Sequence, residues 1–358
     1  MTTRGISLAT IRDAAAIVYD MAVRTPLVRL ELPPPVAVST PEIFLKLETL
    51  QPIGSFKIRG ACNAIRQLPA SELEAGVWTV SAGNAAQGVA LAARKAGAPC
   101  SVLVMDTAPE TKLRAIERLG AAIVQASYDE CWQTVERHGS DLMRGRGRFV
   151  HPFDDDWFIS GNGTIGLEIV EDLPEVDAVV APLGGGGLLA GIGAALAELR
   201  PSAAVYAAEP ETAAPLSASF AAGRAVRFEN WTASFVDGAG GKSVLPSMWP
   251  LLQATVSGSI VVRLDDVARA MRAVADRVHV IAEGAAGCAV AAALSPALAA
   301  RGHRRIVAVV SGGNIDLSRF AALTGACDAG PPAAAWPERT SAGGTLARDV
   351  PAASRDDT

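Results

Sequence analysis

Apolar residues in this chain gather in short unbroken blocks instead of alternating with polar ones. Positions 77–80, 101–105, 123–124, 149–150, 178–180, 203–206 and 306–310 each read as a strand. Continuous apolar strands predict parallel sheets covered by helices on both faces. Between them, 85–96 carries helical spacing and stops at Gly97, and 110–119 reads as an amphipathic helix closed by Gly120. The alternation of strand and helix predicts an α/β fold. Ligands in such folds sit beyond the carboxyl ends of the strands, so candidate chemistry is expected directly after them.

Composition narrows the picture. A chain of 358 residues predicts two domains at roughly 150 residues each. Half the residues are apolar and 19% are charged, which excludes wholesale disorder. The net charge of -5 and 5% aromatic content offer neither a basic stripe nor a stacking platform, so nucleic acid is excluded as a partner. Five cysteines, widely spaced and without CxxC, read as reduced thiols of a cytoplasmic protein. The N-terminus has no secretory pattern. The uncharged run 178–197 tempts a membrane reading, but Pro182 and four glycines interrupt it, so a strand, a loop and a helix are expected. Residues 326–358, rich in Ala, Pro, Gly and Ser, read as a flexible tail without a site.

Four segments offer chemistry. Gly54-Ser55-Phe56-Lys57-Ile58-Arg59-Gly60 places a lysine at a helix start, where burial would lower its pKa and free the amine to attack aldehydes. A lone lysine there is ordinarily a solvated helix end. Ser81-Ala82-Gly83-Asn84, directly after a strand, presents N–H groups, a hydroxyl and an amide suited to a carboxylate, although alone it is an ordinary N-cap. Gly184, Gly185, Gly186 and Gly187, followed by Leu188, lie between a buried strand and an apolar helix. Such a loop lets the backbone approach a phosphate while the helix start supplies partial positive charge. Ser311-Gly312-Gly313-Asn314 puts a hydroxyl at the end of another buried strand, or is simply a turn.

Gly161 to Gly166 matches GxGxxG, but no acidic residue follows at the required distance and 154–157 is not a strand, so the match is set aside. His138, His279 and His303 read as isolated surface or packing residues, and His151 as a structural strand end.

Taken in order, these segments resemble the fold-type II pyridoxal-phosphate enzymes, specifically the serine/threonine dehydratase and serine racemase family. The resemblance runs from Arg24-Thr25-Pro26-Leu27 to about Leu317. It includes His151-Pro152-Phe153-Asp154-Asp155, Gly163-Thr164-Ile165-Gly166-Leu167-Glu168, Ala208-Glu209-Pro210 and Asp237-Gly238. It implies two open parallel-sheet α/β domains (tryptophan synthase β-like), the smaller inserted in the larger. The large cofactor domain is expected at 1–75 and 151–325, and the small, substrate-closing domain at 76–150. The implied cofactor is pyridoxal 5'-phosphate. Lys57 would be the Schiff-base lysine, Phe56 would line the ring pocket and Asn84 would bond the 3-hydroxyl. Gly184 to Gly187 with Leu188 would hold the phosphate, and Ser311 would face the pyridine nitrogen. Ser81, Asn84 and Ala85 would receive the substrate carboxylate, with Ser81 also counted as catalytic. Ser243 lies near a further substrate position.

The implied reaction is α,β-elimination from L-threonine, L-serine or a related β-hydroxy amino acid, giving a 2-oxo acid and ammonia; the alternative is amino-acid racemisation. The implied assembly is a homodimer or homotetramer. Three departures stand out. Ala85 replaces a histidine of the dehydratase loop, which widens the pocket there. Ala82 replaces the racemase's second serine, which disfavours racemisation. Ala213, Ala214 and Pro215 follow Glu209 where a cation site needs a second acid, so no metal is expected.

Overall fold

A computed structural model describes residues 4–32 and 41–326. Its strands are β1 (Leu27–Arg29), β2 (Glu42–Lys46), β3 (Val77–Val80), β4 (Cys100–Met105), β5 (Ala122–Ala126), β6 (Arg148–Phe149), β7 (Ala178–Pro182), β8 (Ala204–Pro210), β9 (Gly258–Val262) and β10 (Arg305–Val309). Six of them form one sheet in the order β1-β2-β10-β7-β8-β9, and four form a second in the order β5-β4-β3-β6. Every pairing is parallel except β1 with β2. The smaller sheet is thus an insertion between β2 and β7 of the larger.

The central strands are apolar because both faces are covered. β3 and β7 are buried at every position, and β10 is buried from Ile306 onward. β10 seats Val307 beside Phe44 of β2 and Val179 of β7. The uncharged run resolves into β7 and the Gly187–Leu199 helix. Among the described residues, no helix is long and apolar enough to cross a membrane.

Strands β1, β2 and β9 escaped the sequence pattern. β1 has three residues, β2 ends on a fully buried lysine, and β9 has a half-exposed face. The segment 154–157 starts a helix, with the Asp155 side chain accepting from Phe158 N. That helix, Asp156–Asp172, carries the rejected GxGxxG in its middle. Its glycines permit close helix contact, not phosphate binding: a Cβ on Gly161 would lie 2.5 Å from the Arg59 carbonyl oxygen, and one on Gly166 2.8 Å from Ala195 Cβ. The chain is helical to Gly325, and the expected tail from 327 onward, with Cys327, lies outside the described residues.

Candidate active site

The carboxyl ends of both sheets face one cavity of about 370 Å³. It is lined by Phe56, Lys57, Ser81, Asn84, Ala85, Gly184, Gly185, Gly186, Gly187, Leu188 and Ser311, so all the site residues expected from sequence meet in one place.

Lys57 opens the Lys57–Arg66 helix. The preceding turn is fastened to the end of β10: Phe56 N donates to Ser311 O over 3.0 Å, and Gly313 N to Gly54 O over 2.9 Å. Lys57 Nζ donates to the Pro152 carbonyl oxygen at 2.5 Å and lies 5.2 Å from the ring centres of both Phe56 and Phe158. The surface it keeps faces the cavity, and no carboxylate among the described residues pairs with it. Burial pushes its amine down to about 7.

Ser81 follows β3, its Oγ accepting from Gly83 N at 3.1 Å. Asn84 and Ala85 begin the Asn84–Ala96 helix. Across the cavity, the four-glycine loop runs into the first turn of the Gly187–Leu199 helix, whose early N–H groups have no intrahelical acceptor. The glycines are demanded sterically. A Cβ on Gly185 would meet the Phe153 ring at 2.0 Å, one on Gly187 the Phe153 carbonyl oxygen at 2.6 Å, and Gly186 sits at φ +94°. Ser311, 2% exposed, closes the circle from the end of β10.

Glu283, Lys112 and Asp237 are among the lining residues to which no role was assigned from sequence. Glu283 is buried and accepts from Asn84 Nδ2 at 2.7 Å; burial, with Asp237 nearby, pushes its carboxyl up to about 7. The available signal was its solitude: it is the one acidic residue between Asp276 and Asp316. Lys112 and Asp237 pair across the cavity mouth, joining a helix of the inserted unit to the larger one. Ser243, which the resemblance had put near a further substrate position, lines the cavity too.

Behind Lys57 lies a buried ionic cluster. Arg59 donates to Glu48 (2.8 Å) and Glu168 (2.6 Å), and Lys46 Nζ lies 2.6 Å from Glu168. Burial alone would raise the Glu168 carboxyl, but Arg59 and Lys46 outweigh it and hold it below the usual range. The cluster ties the Lys57–Arg66 helix to β2 and to the Asp156–Asp172 helix.

His138 is not isolated, contrary to its sequence reading. Its ring sits 4.4 Å from that of His151, and its Nε2 lies 3.2 Å from Asp154. His303 is likewise partnered, 3.0 Å from the Tyr206 hydroxyl. His138, His151 and Asp154 have the donor set of a metal site. However, His151 Nδ1 accepts from Asp154 N at 2.7 Å while Nε2 meets Val135 O at 3.1 Å, so both of its nitrogens are committed. Burial, with His138 adding to it, pushes His151 down to about 3, so it is neutral at physiological pH. Glu209 is committed as well: it accepts from Leu216 N and Ser217 N, both at 2.8 Å, at the start of the Pro215–Ala222 helix.

A family model described as pyridoxal-phosphate dependent enzyme matches residues 18–312. The chain belongs to this family. Among curated proteins, this pyridoxal-phosphate enzyme is 38% identical over 316 residues to the L-threonine ammonia-lyase of Thermotoga maritima, covering 87% of this chain and 77% of that protein. It is 39% identical over 290 residues to the catabolic L-threonine dehydratase TdcB of Escherichia coli, covering 80% of this chain and 87% of that protein. The solved structure of maize serine racemase superposes with a TM-score of 0.81 at 31% identity, covering 88% of this chain and 95% of that one. The cofactor is therefore pyridoxal phosphate. The cavity suits it on its own evidence: a buried amine, its pKa lowered to about 7, for the aldehyde, a glycine loop at a helix start for the phosphate, and a Ser311 hydroxyl facing the cavity with no hydrogen-bond partner among the described residues.

Proposed function

We propose that this enzyme is an ammonia-lyase for β-hydroxy amino acids, taking L-threonine, L-serine or a relative to a 2-oxo acid and ammonia. One observation carries the reading: the Lys57 amine, its pKa brought down by burial to about 7 so that a large share is unprotonated at neutral pH, shares a cavity with the Ser81–Asn84 turn and the neutral hydroxyl of Ser311. The names of the relatives support it.

Bound pyridoxal phosphate supplies an aldehyde for amines and a ring that withdraws electrons. The remaining work falls to the chain. Lys57 Nζ would hold the cofactor and, once the substrate amine has displaced it, would be free to take the α-proton, a transfer favoured by a pKa near the working pH. The N–H groups of Gly184 to Leu188 hold the phosphate. The Ser81 hydroxyl and the Ser81–Ala85 turn hold the substrate carboxylate, which fixes which bond at Cα is broken. Asn84 donates to the 3-oxygen of the cofactor. Ser311 would offer the ring nitrogen a neutral hydroxyl, where a carboxylate would keep a proton on that nitrogen. We assign the cofactor unit to 1–75 and 151–325 and the closing unit to 76–150, working in the cytoplasm as a homodimer or homotetramer.

The test is an assay of the holoenzyme against a panel of β-hydroxy amino acids, with ammonia, 2-oxo acid and D-amino acid all measured. Ammonia and 2-oxo acid in equal amounts are expected. Racemisation is the second reading, since the chain is similar to maize serine racemase. It needs a proton donor on the other face of Cα, and Ala82 in the cavity wall provides none. D-amino acid without ammonia would replace the lyase reading with that one.

A further inference from the structure

The orientation of the Asn84 amide follows from a chain of hydrogen bonds that begins at a backbone carbonyl. The Ile53 carbonyl can only accept, and Asn314 Nδ2 lies 2.8 Å from it, so that end of Asn314 is the NH2 group. The same Nδ2 reaches Asn84 at 2.7 Å, and the Asn84 atom facing it must therefore be Oδ1. The other end of Asn84 is then its NH2 group, which meets Glu283 Oε1 at 2.7 Å. Rotating the Asn84 amide by half a turn would put NH2 against NH2 on one side and oxygen against oxygen on the other. Two buried mismatches of this kind cost more than any single hydrogen bond returns.

The surroundings of this clamp are built to hold it. Glu283 N donates to Gly312 O at 3.0 Å, and its carboxyl also receives the Asn314 N–H. Gly312 and Gly54 leave the space that Glu283 and Asn314 occupy: a Cβ on Gly312 would lie 2.7 Å from Glu283 Oε1, and one on Gly54 2.8 Å from Asn314 Oδ1. Asn84 Nδ2 carries two hydrogens, and Glu283 takes one.

We propose that Glu283 and Asn314 are positioning residues that lock the Asn84 carboxamide in one orientation, so that its remaining N–H is presented to the cofactor as a donor. The inference rests on the reading of Asn84 as a cofactor contact. Neither residue touches the reacting atoms; both act through Asn84. Ionised Glu283 can only accept, so it enforces this orientation; once protonated it could also donate, and the orientation is then held from the Asn314 side.

The experiment is a double-mutant cycle on cofactor binding, with pyridoxal 5'-phosphate titrated into cofactor-free protein. Affinity is read from tryptophan fluorescence, and the visible spectrum of the bound cofactor is recorded alongside. Glu283→Ala is expected to weaken binding roughly three- to tenfold in the wild-type background and less than about twofold in an Asn84→Ala background. It is also expected to move the cofactor absorption as Asn84→Ala does. Glu283→Gln keeps an acceptor oxygen and should restore most of the affinity. An equal loss in both backgrounds overturns the proposal while leaving the Asn84 contact in place. Unchanged affinity and spectrum in Asn84→Ala would instead sink the contact, and the proposal with it. If Glu283→Ala does not fold, the same cycle with Asn314→Ala decides the matter by the same two outcomes.

Discussion

Lys57 donates its ammonium or amine hydrogen to the carbonyl oxygen of Pro152, 2.5 Å away, and among the described residues no carboxylate balances its charge. The folded, cofactor-free protein therefore resists protonating this group, whose pKa falls from 10.5 to about 7. Between these values the unfolded chain carries the proton and the folded chain does not, so stability rises with pH across that window; below about 7 the penalty is present in full. Lys57→Met should remove it. At about pH 6 the cofactor-free variant should be more stable than wild type by a few kcal/mol, on the order that such a shift implies, and its stability should be flatter between pH 7 and 10. Thermal melts at several pH values check this. In the holoenzyme the same variant should lose roughly a thousandfold or more in kcat.

The Arg59 cluster carries the opposite sign. Replacing Arg59 by methionine leaves Glu48 and Glu168 buried without their main partner. Removing one member of a buried ion pair costs about 3–5 kcal/mol, which in a protein of this size corresponds to a fall in Tm of roughly 4–7 °C. A fall of only a degree or two, measured by calorimetry, would mean that the cluster relaxes or admits water.

Closure of the inserted unit should depend on Lys242, whose Nζ lies 4.1 Å from the Tyr128 ring and 4.3 Å from the Trp231 ring. Tyr128 belongs to the inserted unit, while Trp231 and Lys242 belong to the larger one. A cation between two rings contributes about 0.5–1 kcal/mol per ring at a partly exposed site. Lys242→Met is expected to raise KM several-fold, by an amount consistent with that energy, with a smaller change in kcat. The exposed Lys112–Asp237 pair, which also joins the two units, should add a salt-dependent part, so raising ionic strength should raise KM in wild type. A KM unaffected by either change would separate these contacts from closure.

Ala85 bears on substrate size. It lines the cavity beside the carboxylate turn, and Val80, Met105, Trp132 and Val135 make an apolar wall from the same unit. A β-substituent larger than methyl should therefore be accepted. Relative kcat/KM for 3-phenylserine and threonine measures this. Ala85→His should lower the phenylserine value roughly tenfold more than the threonine value. A strong wild-type preference for threonine, with no response to Ala85→His, would refute the idea.

The parts of this fold that sequence made legible share a physical cause. β3, β7 and β10 are buried on both faces, so their apolar runs are unbroken, and the segments that follow them carry the site because strand ends form the crevice. The parts that stayed hidden were masked by residues used against type. Lys46, Arg59 and Glu168 are charged side chains in the interior, so the elements bearing them look like surface. Gly161, Gly163 and Gly166 let helices touch, yet in sequence they imitate a phosphate loop. Glu283 is a carboxylate whose partners, Asn84 and Asn314, lie far away along the chain. His138 and His151 are thirteen positions apart, and nothing at either position announces that their rings meet.

The placement of β10 between β2 and β7 has a consequence for synthesis. β2 and β10 are roughly 260 residues apart, so at translation rates of about 5–20 residues per second the first half of the large sheet waits on the order of tens of seconds for its central strand. The smaller sheet, continuous from β3 to β6, has no such wait and can form while the ribosome is still at work. During that interval the edge of β2 that β10 will cover keeps its backbone N–H and C=O groups unpaired, open to pairing with another strand.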